Sequence, residues 1–228
     1  EGILEYQVDG IVAASVAMSS DLAARCQAAG VPIVLFNRSQ ADDELPSVTS
    51  NNYLGGRTAA KHLLELHHKK IGYIAGWEGA STQVEREDGF NSMISEQNLI
   101  VTHREVGNFE IDEAKEAAKK MFGTFDHPTA VFVASDHMAF AVMDVLRSDI
   151  GLRIPQDVSI IGFDDVSLAS YSAYDLTTIR QPITQMVDST VDILLNQIEH
   201  PIVAGNNVIK IDPVLVKRGT CTINKEKE

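Results

Sequence analysis

A chain of 228 residues and 24.9 kDa, 44% hydrophobic and 22% charged, can bury roughly 70% of its unfolded surface and needs no disulfide or metal to fold. Its net charge of −13 repels a phosphate backbone, so these residues alone are not expected to bind DNA, and the one basic run, His67-His68-Lys69-Lys70, reads as a solvated turn. No apolar run approaches the ~20 residues of a membrane span, the N-terminus has no signal-peptide character, and two distant cysteines, Cys26 and Cys221, fit a reduced, cytoplasmic setting.

In chain order, strand-like apolar runs alternate with helix-length segments. A strand is expected over Gly10–Ser15, a helix over Ser20–Ala29 with Ser20 as its cap, and a strand over Ile33–Asn37. A helix over Tyr53–Leu66 follows, then a strand over Ile71–Gly76 and a helix over Gln83–Gln97. Asp112 is read as the cap of a helix running to Phe122. Strands over Ala130–Ser135 and Val158–Phe163 flank a helix over His137–Arg147. The last long helix, Ile183–Ile198, carries Ile183, Met186, Val187, Val191, Leu194, Leu195 and Ile198 at three- and four-residue spacing, read as core packing. Near-continuous apolar strands imply sheets covered on both faces, and their alternation with helices implies an α/β fold with parallel sheets.

The pattern lacks the marks of an enzyme. Neither Val16-Ala17-Met18-Ser19-Ser20 nor Trp77-Glu78-Gly79-Ala80-Ser81 offers the glycine-rich turn a nucleotide phosphate requires. Gly55-Gly56 falls inside a helix, and there is no nucleophile elbow, zinc-protease motif or redox cysteine spacing. No cofactor and no metal site are expected. Of the acidic pairs, Asp42-Asp43 lies in a polar loop, whereas Asp164-Asp165 follows a buried strand at the end where α/β proteins hold ligands. Adjacent side chains rarely face one ligand, so at most one of that pair is expected to enter a pocket, the other bracketing the next turn.

The stretch Arg153-Ile154-Pro155-Gln156-Asp157-Val158-Ser159-Ile160-Ile161-Gly162-Phe163-Asp164-Asp165, followed by Leu176-Thr177-Thr178-Ile179-Arg180-Gln181-Pro182, resembles the signature of the LacI family of transcriptional regulators. Val8-Asp9-Gly10-Ile11-Val12, Gly55-Gly56-Arg57-Thr58-Ala59-Ala60-Lys61-His62-Leu63, Ile71-Gly72-Tyr73-Ile74-Ala75-Gly76 and Arg86-Glu87-Asp88-Gly89-Phe90 agree, so the resemblance runs from residue 1 to about 220. It implies an effector-binding domain of two Rossmann-like lobes of the periplasmic-binding-protein-like type I kind, clasping a ligand between them. On it, residues 1–49 and 182–210 form the N-terminal lobe, short of its first strands. Residues 50–181 and 211–220 form the C-terminal lobe, with 221–228 a charged tail. The helix-turn-helix that contacts operator DNA is absent from these residues. The implied partners are a small-molecule effector, a sugar ahead of a purine, and a second copy in a homodimer.

The same resemblance names the site. Arg86 matches the effector-binding arginine, a rigid fork of donors; its competing reading is a surface arginine pairing with Glu85 or Asp88. Asp164 matches the ligand-binding aspartate, which accepts hydroxyl donors. Phe109 stands where an aromatic ring packs on the ligand, with ordinary core as the alternative. Asn37 stands where the lactose repressor carries an aspartate, Ser135 where asparagine is common, and Thr82 at another contact position, with a helix cap as its competitor. The alternative function is a periplasmic sugar-binding protein serving a transporter, which shares the fold.

Overall fold

The apolar run Ile33-Val34-Leu35-Phe36 shows how the first unit is built: alternate residues of one strand serve two separate cores. Ile33 and Leu35 pack with Ala13 and Cys26, whereas Val34 packs with Val48 and Met186 and is joined there by Phe36. The computed structural model describes residues 8–14, 20–39, 45–200 and 208–225. The described residues form strands and helices in this order: β1 (Ile11–Ala14), α1 (Ser20–Ala28), β2 (Ile33–Phe36), β3 (Ser47–Ser50), α2 (Asn52–Glu65), β4 (Ile71–Ala75) and α3 (Ser81–Ser95). Then come β5 (Val101–Val106), α4 (Ile111–Phe122), β6 (Ala130–Val133), α5 (Asp136–Val145), β7 (Ser159–Asp164), β8 (Thr177–Arg180), α6 (Ile183–Glu199), β9 (Val208–Ile211) and β10 (Val214–Val216).

The chain divides into two units, Glu1–Asn51 with Pro182–Asp212, and Asn52–Gln181 with Pro213–Glu228. The first holds a four-stranded sheet in the order β1-β2-β3-β9, parallel throughout. The second holds a six-stranded sheet in the order β10-β8-β7-β6-β4-β5, parallel except where β10 runs antiparallel to β8. Its core is continuous: Tyr73, Phe90, Phe132 and Phe163 stack through ring contacts of 5.0–6.5 Å. Among the described residues no helix is long and apolar enough to cross a membrane.

Helices α2 and α3 cross at glycines. A Cβ on Gly56 would sit 2.0 Å from the Arg86 carbonyl oxygen, and one on Gly89 would sit 1.9 Å from that of Tyr53. Only a hydrogen at these positions lets the two backbones meet, and this contact sets where Arg86 points.

Four sequence expectations need correction. First, β3, β5, β8 and β9 were not foreseen as strands: β3 carries buried Ser47, Thr49 and Ser50, β8 carries buried Thr177 and Thr178, and the edge strand β5 alternates polar residues with partly buried ones. None of these offers a continuous apolar run. Second, Asp112 does not cap α4, which begins at Ile111 after Glu110; it lies in the first turn, where a carboxylate favours the helix dipole. Third, only part of the α6 stripe is core. Met186 and Thr190 are buried and Ile193 and Leu194 pack on the sheet, but Ile183, Val187, Val191, Leu195 and Ile198 form an adjacent exposed stripe. The four-stranded sheet covers one helical row, and the i, i+4, i+8 neighbours stand beside it. Fourth, Ser20 is the first helical residue of α1 rather than a residue preceding it. Ser15 and the tail residues 226–228 lie outside the described residues.

Candidate ligand-binding site

Parallel strands with helices on both faces leave one edge open to ligands, the carboxyl ends. In the second unit that edge holds Gly76 after β4, Gly107-Asn108-Phe109 after β5, Ala134-Ser135 after β6 and Asp164-Asp165 at the end of β7. Backbone strain collects there. Asn108, Phe109, Asp164 and Asp165 have φ of 52°, 63°, 118° and 58°, a region non-glycine residues seldom occupy.

Arg86, on α3, is 3% exposed. Its Nη2 donates to Asn52 Oδ1 at 2.8 Å, its Nη1 donates to the Ala134 carbonyl, and its Cζ lies 3.4 Å over the Phe163 ring. Its Nε is buried with no hydrogen bond among the described residues. Burial lowers the guanidinium's pKa, opposed first by the Asp164 charge and then by Tyr73 and Asp136. The reading of Arg86 as a surface residue paired with Glu85 or Asp88 is therefore replaced by a buried cation held by neutral oxygens and an aromatic face.

Asp164 accepts from Gln181 Nε2 at 2.7 Å. Burial pushes its carboxyl above the usual carboxylate range, against the pull of the Arg86 charge and the Gln181 bond. Gln181 Oε1 is itself buried without a hydrogen bond among the described residues. Asp165 is occupied differently, taking bonds from Arg180 Nε and from Arg218 Nη2 at 2.6 Å, so it ties the end of β7 to β8 and to the segment after β10.

Asp136, the first residue of α5, lies below this pair. It accepts from Thr178 Oγ1 at 2.6 Å and from the Val166 amide at 3.0 Å. Burial pushes its carboxyl up to about 7; the Thr178 bond opposes this and the Asp164 charge adds to it. Gln83, one turn before Glu87, props the β4–α3 turn: its Oε1 accepts from the Gly76 amide at 2.8 Å and its Nε2 donates to Glu87 at 3.0 Å.

The remaining expected site residues are placed as follows. Phe109 is 37% exposed and its ring covers Gly76 so closely that a Cβ there would meet Cζ at 2.1 Å. It is thus neither buried core nor fully open. Ser135 caps α5, its Oγ accepting from the Met138 amide at 3.4 Å. Thr82 is buried as the second residue of α3, and because the cap is Ala80, the cap reading of Thr82 does not hold. Asn37 belongs to the first unit, just past β2, with φ of 55° and a buried Oδ1 that makes no hydrogen bond among the described residues. Arg86 and Asp164 are brought together as electrostatic neighbours.

Sequence reasoning missed Asn52, Asp136, Phe163 and Gln181 as site-forming residues. Asp136, Phe163 and Gln181 stand inside or beside motifs already read, so their signal was present; Asn52 gave none. Among the described residues no group of three or more His, Cys, Asp or Glu side chains could hold a metal ion.

Comparison with known proteins agrees with this architecture. Residues 60–221 match the family described as periplasmic binding protein-like domain. The chain is 36% identical over 229 residues to the HTH-type transcriptional repressor PurR of Vibrio vulnificus (strain CMCP6), covering 96% of this chain and 66% of that protein. It therefore spans just under two thirds of that relative's length. Among solved structures, the transcriptional regulator CelR–cellobiose complex superposes with a TM-score of 0.87 at 28% identity, covering 96% of this chain and 68% of the other. A LacI family transcriptional regulator from Enterococcus faecalis V583 with bound ribose superposes with a TM-score of 0.86 at 28% identity, covering 96% and 79%.

Proposed function

The chain belongs to the LacI family as a periplasmic-binding-protein-like, ligand-binding domain, and from that premise we propose that it senses a small hydroxyl-rich effector, a sugar, through Arg86 and Asp164. Effector occupancy then alters operator binding by a helix-turn-helix segment outside these residues, in a homodimer of the whole regulator. Thr82, Phe109 and Ser135 complete the proposed contacts in the second unit. The repressor relatives do not favour the alternative of a transport-associated binding protein.

The observation that carries this reading is the juxtaposition of a buried guanidinium, two of its donors already satisfied by neutral oxygens, with a carboxyl above the usual range. Such a pair offers both donors and an acceptor to a hydroxyl-bearing ligand, out of bulk water where each bond is stronger. The cation lies close to two carboxyls, Asp164 and Asp136, so the local balance does not favour a strongly anionic ligand. Binding changes the regulator's state only through different affinity for its two conformations.

The test is thermal unfolding against ribose, cellobiose, their phosphates and purine bases. A ligand at a hundredfold its dissociation constant adds about 2.7 kcal/mol, which raises the midpoint by roughly 5–10 °C at this size. A sugar-induced rise that disappears in Arg86→Ala supports the reading. A rise with purines alone moves the effector to that class, and no rise with any compound overturns the site.

A further inference from the structure

Two features hold the Arg86 guanidinium, and they do different work. The Phe163 ring, 3.4 Å beneath Cζ, fixes the plane but leaves the group free to turn within it. Rotation in that plane is stopped by two acceptors, the Ala134 carbonyl and Asn52 Oδ1. The carbonyl belongs to the backbone just past β6 and is there whatever the side chain. Asn52 is the part that its side chain chooses. It opens α2, fully buried, and the glycine crossing of α2 with α3 places it beside Arg86.

The choice of an amide here has a chemical consequence. A carboxylate in its place would pair with the guanidinium and neutralise it. An apolar side chain would leave one bond and let the cation swing toward Asp164, with which it would form a fork-to-fork pair. Either way the donor and the acceptor would be turned on each other and not toward a ligand. A neutral acceptor holds the cation apart while leaving its charge intact. The arrangement has a counterpart in Gln181, an amide that donates to Asp164. Both amides stand where the chain passes between the two units, Asn52 after Asn51 and Gln181 before Pro182.

We infer that Asn52 is a positioning residue, setting the direction of the Arg86 donors and through it the affinity for the effector; this rests on the reading that Arg86 contacts that effector.

The test follows the guanidinium itself and needs no ligand. In the full chain labelled with 15N-arginine, the Arg86 Nη1 and Nη2 chemical shifts report the acceptor that each nitrogen faces, with Arg86→Lys supplying the assignment. The wild type is expected to show an Arg86 Nη2 signal displaced from that of a free guanidinium; Asn52→Leu moves it toward the free position, while Asn52→Asp, which keeps an acceptor and adds charge, displaces it further. Titration of ribose, cellobiose and hypoxanthine is expected to show about tenfold weaker binding in Asn52→Leu for whichever probe the wild type binds. An Arg86 spectrum identical in the wild type and Asn52→Leu overturns the inference. If Asn52→Leu does not fold, Asn52→Asp decides, because unmoved Arg86 signals beside a new carboxylate overturn it equally. Failure of the functional reading shows separately, as unchanged binding in Arg86→Ala.

Discussion

The two edges of the six-stranded sheet are built on opposite terms. At the amino edge, His68 joins Thr129 Oγ1 at 3.0 Å, Ser159 Oγ at 3.0 Å and the Thr222 carbonyl at 3.1 Å, tying the starts of β6 and β7 to the C-terminal segment. Thr220 adds a bond to the Ile160 carbonyl at 2.7 Å and accepts one from the Thr177 amide at 2.9 Å. These groups are buried and mutually satisfied, so this edge stabilises. At the carboxyl edge the backbone is strained at four non-glycine residues, a cation is buried beside two raised carboxyls, and Arg86 Nε and Gln181 Oε1 lack hydrogen bonds among the described residues. Strain and unsatisfied polar atoms persist where the surrounding fold enforces them, and such places are where ligands act.

The sharpest way to break this comparison is to exchange the effects of the two edges. Arg86→Ala is expected to weaken effector binding ten- to a hundredfold, the size of a lost charge-assisted hydrogen bond set, as measured by calorimetric titration. His68→Leu is expected to lower stability by about 1–3 kcal/mol, because it removes one hydrogen bond each from buried Thr129 and Ser159, while the effector-induced rise in melting midpoint stays at the wild-type size. Should His68→Leu abolish that rise, the division between the edges fails.

Asp136 sharpens it through pH. Its folded-state pKa, about 7, lies above the ordinary 3.8, so between these values the folded protein holds a proton that the unfolded chain releases. Stability must then fall as pH rises from about 4 to about 7 and level off above. Asp136→Asn removes that contribution, so the stability difference between variant and wild type, from urea titrations at pH 4.5 and 7.5, should move in the variant's favour at the higher pH. A pH-independent difference would contradict the buried, proton-holding state. The smallest effect is expected at Gly76→Ala. The nearest atoms its new Cβ meets belong to the Phe109 ring, a side chain that can turn away, so the melting midpoint should stay within a few degrees while effector affinity drops severalfold.

How much of this was legible in the sequence depended on where side-chain chemistry was continuous. The strands β4 and β6 are unbroken apolar runs and β7 nearly so, because both faces are covered, and they are readable by pattern alone. β3 and β8 carry buried Ser and Thr where an apolar run would be expected, and the Thr177 hydroxyl is satisfied by Arg218 across the fold, so no local pattern marks them. The α6 stripe was misread for a related reason: spacing gives the face of a helix but not which of two neighbouring apolar rows its sheet will cover. At the site, Arg86 and Asp164 were reached by motif. Asn52, far from Arg86 in sequence, becomes its partner only through the Gly56–Gly89 crossing, a contact written in two hydrogens.

The most direct measurement is calorimetric titration of the strongest compound from the sugar and purine panel into the wild type, Arg86→Ala and Asp164→Asn. Binding in the wild type, with both variants at least tenfold weaker and folded by their melting curves, is the predicted result. Equal affinity in all three would place the effector elsewhere and contradict the assignment of this edge of the sheet.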